Sequence, residues 1–252
     1  MHNPFRLDGQ LALVTGGGTG LGFGISKAII EAGGRVVITG RREDTLREAC
    51  GKLGENAGYI RHDVTELDTI PDLVDRVEKE FGPITILVNN AGIHLKKPIL
   101  DTEDEEFAAV LQTHVNGGFA LAREVARKMI PRRSGSIIWI TSMSSILAVP
   151  DIIAYTAAKS AISGMVRALS ADLSPYGITV NSINPGWIES DMLQQALDKD
   201  PERKRKILSR TPMGRLGSPS DIGYAAVYLS SPASRFVTGV DLRVDGGAGV
   251  GF

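Results

Sequence analysis

Between Leu11 and Gly22 the chain reads Leu-Ala-Leu-Val-Thr-Gly-Gly-Gly-Thr-Gly-Leu-Gly, and no other stretch restricts its architecture as much. The apolar run reads as a buried strand, the glycines as a turn, and 23–30 as a helix. Gly16, Gly20 and Gly22 lack a Cβ, so the backbone there can take positive φ and come close to a ligand. The helix start beyond them directs free N–H groups and the positive end of its dipole outward, which makes a seat for a pyrophosphate. The spacing is Gly-x-x-x-Gly-x-Gly. Leu21 stands where the last glycine of the common Gly-x-Gly-x-x-Gly fingerprint would fall. The turn gains its meaning from its flanks, an apolar strand before and an amphipathic helix after.

Downstream, short β-branched runs alternate with longer helical patterns. Strands are expected at 35–39, 58–61, 85–88, 136–140, 179–183 and 240–244. Helices are expected at 43–53, 67–81, 103–130 and 152–173, with a helical pair near 192–208 and 219–229. Such alternation predicts an α/β fold, a single Rossmann-like domain over 1–252 whose doubly wound parallel sheet of about seven strands carries helices on both faces. Right-handed crossovers place every strand's carboxyl end on one edge, where ligands bind in open sheets. The 28 Lys and Arg balance 29 Asp and Glu, so neither nucleic acid nor an anionic membrane is an expected partner. The N-terminal segment shows no signal pattern and no run is long enough to span a bilayer, so a cytoplasmic protein is expected. Cys50 has no partner for a disulfide and reads as a small packing residue. His2, His62, His94 and His114 show no ligand spacing, and no metal is expected.

The second strand ends Gly40-Arg41-Arg42, where a protein that prefers NAD usually carries an acidic side chain to bind the ribose 2′-OH. A guanidinium suits a 2′-phosphate instead, so NADP(H) is favoured as cofactor, with NAD(H) possible. The plainer reading of the two arginines is a solvated loop that caps the next helix. Asp63, at the end of the third strand, either accepts a hydrogen bond from the adenine amino group or caps the helix beginning near Glu66. Tyr155 and Lys159 lie four residues apart in a helical pattern, which sets a cation beside a phenol. An ammonium favours the phenolate and lowers the phenol's pKa, so Tyr155 is expected to serve as acid and base.

In order along the chain, Thr15-Gly16-x-x-x-Gly20-x-Gly22, Asn89-Asn90-Ala91-Gly92, Asn116, Ser142, Tyr155-x-x-x-Lys159 and Pro185-Gly186 resemble the short-chain dehydrogenase/reductase family from Leu11 to Gly247. The resemblance implies hydride transfer between a nicotinamide and a carbonyl or alcohol carbon. It implies a catalytic set of Asn116, Ser142, Tyr155 and Lys159, in which Ser142 holds the substrate oxygen. Asn116, beside Gly117-Gly118 in a loosened helix, would bind a water that relays protons to Lys159. Cofactor contacts follow at Gly16, Thr19, Gly20, Leu21, Gly22, Arg41, Asp63, Val64, Asn90, Ala91, Gly92, Tyr155 and Lys159. Pro185, Gly186, Ile188 and Ser190 would hold the carboxamide, with Ser190 in place of the family's usual threonine. Ser144 and Ser145 compete with Ser142, which is chosen for its distance of thirteen residues from Tyr155.

Positions expected to face the nicotinamide are His94, Ser144, Ile152 and Trp187, with Met192 from a lid near 187–212; the same lid pattern also fits a plain surface helix pair. His94 either bonds a polyol or packs. The run ending His94-Leu95-Lys96-Lys97-Pro98 is similar to the branch that includes gluconate 5-dehydrogenases, where Lys96 or Lys97 would attract a carboxylate. The substrate is then a sugar acid, a polyol or another small hydroxy or keto compound. Two alternatives stand beside it, a 3-oxoacyl-[acyl-carrier-protein] reductase and a dinucleotide-binding scaffold or redox sensor without turnover. The resemblance, the long helices and the apolar end 240–252 lead to the expectation of a homotetramer.

Overall fold

All five side chains of β1 (Leu11–Thr15) are buried, as a strand covered on both faces requires. Leu11 and Leu13 join the apolar layer on one side, Ala12 and Val14 the layer on the other. The computed structural model describes residues 3–190, 193, 197, 198 and 200–250. From β1 the chain builds outward through α1 (Gly20–Glu31), β2 (Arg35–Gly40), α2 (Glu43–Leu53) and β3 (Ala57–Arg61). It returns through α3 (Ile70–Phe81) to β4 (Ile86–Asn89), then α4 (Asp104–Leu111), α5 (Gly118–Arg132) and β5 (Gly135–Ile140). The remaining elements are α6 (Ile153–Leu173), β6 (Ile178–Pro185), α7 (Pro201–Arg210), α8 (Pro219–Ser230) and β7 (Asp241–Val244).

The seven strands form one sheet in the order β3-β2-β1-β4-β5-β6-β7, every neighbouring pair parallel. One face is covered by Leu73 and Val77 of α3, Leu121 and Val125 of α5, and Ile162 and Val166 of α6. The other is covered by Ile25 and Ile29 of α1, Leu46 of α2, and Ile222 and Ala226 of α8. Each such aliphatic side chain contributes about 1.5–3 kcal/mol relative to an exposed one, so the strands are fixed by burial on both faces.

The chain reverses direction of travel across the sheet between β1 and β4, which opens a crevice at their carboxyl ends. Its two walls are stitched together. Thr15 Oγ1 accepts from the backbone N–H of Asn90 and of Ala91, both at 3.0 Å. Asn90 Nδ2 donates to Thr15 O at 2.9 Å and to Gly16 O at 3.2 Å.

Two expected helices take a different form. The segment 67–81 opens with a 3₁₀ turn, Leu67–Thr69, before α3 begins. The segment 103–130 is not one regular helix, because Gln112–Gly117 is a π turn between α4 and α5. Thr113 and the glycine pair at 117–118 are poor helix formers, which lowers the cost of widening the turn there. Of the expected helix 192–208, the part from Pro201 onward is α7; Met192 and most of its neighbours lie outside the described residues.

Candidate active site

The glycine turn leads from β1 into α1 with Gly16 at φ +65° and Gly20 at φ +53°. A Cβ on Gly22 would collide with Gly16 O and Asn90 Nδ2, so the close approach of turn and crevice wall needs glycine there. Thr19 stands at the N-cap of α1 and its side chain caps no backbone group. The first N–H groups of α1 therefore remain open to a ligand. A Cβ built on Gly20 meets nothing within 4 Å, which shows open space along the turn. A groove of about 590 Å³ runs from here along Gly16, Thr19, Gly20 and Leu21 to Arg41, Asp63 and Val64, and back past Asn90, Ala91 and Gly92 to Tyr155 and Ser190. This donor-rich cradle with an arginine at its far end fits a phosphorylated dinucleotide.

Arg41 is exposed, and its carbonyl accepts from Arg61 Nε at 3.0 Å, so a basic residue on β3 steadies it. Sequence reading did not find Arg61. Arg42 holds the N-cap position of α2 without a side-chain bond to the helix. Asp63 Oδ1 accepts from Thr65 N at 3.0 Å and from Thr65 Oγ1 at 2.8 Å. Burial pushes the Asp63 carboxyl upward, but the Thr65 bonds and the Arg41 charge outweigh it and hold the group below the usual carboxylate range.

The groove continues into a second cavity of about 390 Å³ that shares Leu21, Asn90, Gly92, Tyr155 and Ser190 with it. Here Tyr155 is hydrogen-bonded to the Ser142 side chain. Ser142, at the end of β5, also accepts from Ser144 N at 3.2 Å, which sets the short turn that follows. Lys159 is 4% exposed, and its Nζ donates to Ile140 O at 2.7 Å and stands 5.4 Å from the Tyr155 ring centroid. The Pro-Gly loop closes the far wall with Pro185, Gly186, Trp187, Ile188, Glu189 and Ser190. His94 lines the same cavity, its ring centroid 4.8 Å from that of Tyr155.

The electrostatics differ from the expected ammonium–phenolate pair. Burial raises the Tyr155 phenol, and the Ser142 bond only partly offsets it. Lys159 is lowered to about 7 by burial. A cation taken out of water favours its neutral form, and a phenol taken out of water favours its proton. Tyr155 is therefore in its protonated form, the form from which a substrate oxygen can take a proton.

Several expected residues do not join this cluster. Asn116 is exposed on the outer side of the π turn, where Nδ2 donates to Gln112 Oε1 at 2.7 Å. The inward position is taken two residues earlier by His114, which is 5% exposed and lines the cavity. Ser144 is 3% exposed, its Oγ is buried without a partner, and it lies behind the cavity wall. Ile152 is likewise buried, outside the lining. Ser145 Oγ donates to Ser142 O at 2.8 Å and so supports the turn. Of the two lysines, Lys97 is taken up by Glu106 at 2.8 Å, inside the capping box of α4. Lys96 is exposed and has no such partner among the described residues; with Arg203 of α7 its charge lowers the His94 imidazole, after the larger effect of burial. Arg203 was hidden within a helix of many charges.

A phosphate-binding turn that opens at the sheet's switch point onto a partly buried tyrosine and a buried lysine defines a dinucleotide-dependent oxidoreductase. A family profile described as enoyl-(acyl carrier protein) reductase matches residues 16–249. Gluconate 5-dehydrogenase of Gluconobacter oxydans (strain 621H) is 38% identical over 252 residues, with 98% of each chain covered. A 3-oxoacyl-[acyl-carrier-protein] reductase of Vibrio cholerae is 33% identical over 242 residues, covering 96% of this chain and 98% of the relative. The crystal structure of a gluconate 5-dehydrogenase from Burkholderia cenocepacia J2315 in complex with NADP and tartrate superimposes with a TM-score of 0.91 at 38% identity, covering 97% of each chain. The chain belongs to the short-chain dehydrogenase/reductase family. Among the described residues no helix is long and apolar enough to cross a membrane, and no cluster of metal-ligating side chains occurs.

Proposed function

We propose that this chain interconverts a ketone and a secondary alcohol on a small sugar acid or polyol, with NADP(H) as the hydride partner. The observation that carries this reading is the continuity of two cavities, one ending at Arg41 and the other at the Tyr155–Ser142 pair. When bound in the groove, the nicotinamide supplies or accepts the hydride. Tyr155 holds the proton that the substrate oxygen takes during reduction and receives it back during oxidation. Ser142 fixes that oxygen by a hydrogen bond that strengthens as negative charge develops on it. Lys159, one turn below, holds the nicotinamide ribose. Arg41, steadied by Arg61, takes the 2′-phosphate, and Pro185, Gly186, Ile188 and Ser190 border the carboxamide end.

The preference for an acidic substrate rests on Lys96 and Arg203, two cations whose charge both acts on His94 at the cavity. The gluconate 5-dehydrogenase activity named for the Gluconobacter relative and the tartrate in the Burkholderia complex point the same way. The segment 187–212 acts as the lid of a single domain spanning 1–252. Exposed Phe119 on α5, Tyr224 on α8 and Phe236 before β7 favour a homotetramer, which light scattering tests directly. The single cysteine fits a cytoplasmic setting.

Absorbance at 340 nm follows NADPH across gluconate, keto-gluconates, polyols, diketones and acetoacetyl thioesters. Turnover fastest on a sugar acid supports the proposal. Turnover confined to the thioesters favours the acyl-carrier-protein reading, and tight NADPH binding without any turnover favours a sensor or scaffold.

A further inference from the structure

His114 is a buried titratable group to which the reaction as described gives no part. It sits inside the π turn Gln112–Gly117, directly beneath Gly92. A Cβ on Gly92 would run into the His114 ring, so this glycine is required by the imidazole below it. Nε2 stands 2.8 Å from Ile93 O and 3.1 Å from Ile93 N. The ring meets Tyr155 edge-on, with centroids 5.5 Å apart, and His94 packs on the same phenol at 4.8 Å. It also borders a small cavity of about 10 Å³ lined in part by Lys159, Asn89 and Trp139.

We infer that His114 is the positioning residue of the active site, holding the segment Gly92–His94 against Tyr155 in the place expected for Asn116. The inference rests on the oxidoreductase reading above. One nitrogen faces both a backbone donor and a backbone acceptor. A neutral imidazole with its proton on Nε2 bonds Ile93 O and leaves Ile93 N–H unmatched; the other tautomer does the reverse. The groups around the ring decide its charge. Burial lowers His114 to about 3, the Lys159 charge and His94 act in the same direction, and only the bond to Ile93 O opposes them. The ring is neutral across the working pH range. At 2.8 Å the shorter contact is the one to the carbonyl, so the Nε2–H form is the one held. By fixing Ile93 it fixes the adjoining His94, so both imidazoles in contact with the phenol are held.

An amide has both a donor and an acceptor, so asparagine at this position meets both Ile93 groups at once, whereas leucine keeps bulk and meets neither. The test uses the full chain as wild type, His114→Asn and His114→Leu, with NADPH affinity, kcat and Tm measured for each. Nitrogen-15 NMR of the histidine rings is added for the cofactor-free wild type between pH 8 and 5. We expect His114→Asn to keep kcat within about threefold, and His114→Leu to lose roughly ten- to a hundredfold with NADPH affinity unchanged, the scale of a misplaced reacting group. The NMR is expected to show one ring protonated at Nε2 that does not titrate. A folded His114→Leu with wild-type kcat overturns the inference, as does His114→Asn falling as far as His114→Leu. If His114→Leu does not fold, His114→Asn and the ring spectra decide. A wild type that turns over nothing contradicts the oxidoreductase reading instead, while the ring spectra still test His114 on their own.

Discussion

The nucleotide groove and the substrate cavity meet at Tyr155, yet they are built from different materials. The groove is made by backbone: a glycine turn, the open start of α1, and two strand ends stitched through Thr15 and Asn90. The cavity is lined by side chains that arrive from distant elements, His94 after β4, His114 from the π turn and Trp187 after β6, with Arg203 of α7 acting on His94 through its charge. Backbone geometry is written in local sequence, because only glycine tolerates the required φ and the close approach. A side-chain cluster depends on how helices rotate and on what they bury. The first kind of site is stiff and tolerant of side-chain change elsewhere. The second is where one substitution redirects specificity.

The comparison is broken most severely at the point where the halves join. Tyr155→Phe removes the proton without altering the groove, so kcat is expected to fall at least ~10²-fold while NADPH affinity, measured by protein fluorescence, stays within a few-fold of wild type. Loss of both together would mean that the two halves are not separable at this residue. Next in size is the far end of the groove. Arg41→Ala is expected to weaken NADPH roughly tenfold or more and to leave NADH nearly unchanged, since only NADPH carries the phosphate. Arg61→Gln should reproduce a fraction of that effect if its bond to Arg41 O is what steadies the guanidinium; kcat/KM for both cofactors measures each.

On the substrate side, Lys96→Ala combined with Arg203→Ala is expected to raise KM for gluconate about two- to fivefold, a scale typical of exposed charges. KM for a neutral polyol should hold. An equal rise for both substrates would show that the pair shapes the cavity without reading charge.

The smallest effect concerns Lys159 and pH. Its folded value lies near 7 because of burial, well below that of the unfolded chain. Between these two values the unfolded chain binds more protons than the folded protein, so this group's contribution to unfolding free energy rises with pH through that window. Urea unfolding of cofactor-free wild type and Lys159→Met at pH 6.5 and 9 checks the sign: the difference in stability between the two proteins should shift in favour of wild type at the higher pH.

What sequence could and could not supply follows the same division. The parallel sheet, the glycine turn and the Arg41 position were legible because hydrophobic period and glycine spacing act locally. Asn116 was misplaced for a definite reason. A π turn accommodates one extra residue, which rotates the positions around it by about 100° relative to a regular helix and brings His114, not Asn116, to the inside. The expected downward shift of Tyr155 is opposed by desolvation, because spacing reveals that a lysine is near but not that leaving water raises the phenol and lowers the lysine. Lys96 and Lys97 looked equivalent until Glu106, nine residues on, was seen to claim one of them. Arg203 and Arg61 carried no local signal at all; a charged helix and a strand end were all that the sequence displayed.

The central claim is that Arg41 and Tyr155 serve one reaction through one continuous site. Initial rates at 340 nm with gluconate and either NADP⁺ or NAD⁺, in wild type, Arg41→Ala and Tyr155→Phe, test it most directly. The account predicts turnover with a clear preference for NADP⁺, loss of that preference in Arg41→Ala, and loss of turnover with both cofactors in Tyr155→Phe. A wild type that prefers NAD⁺, or a Tyr155→Phe variant that turns over at the wild-type rate, would contradict it.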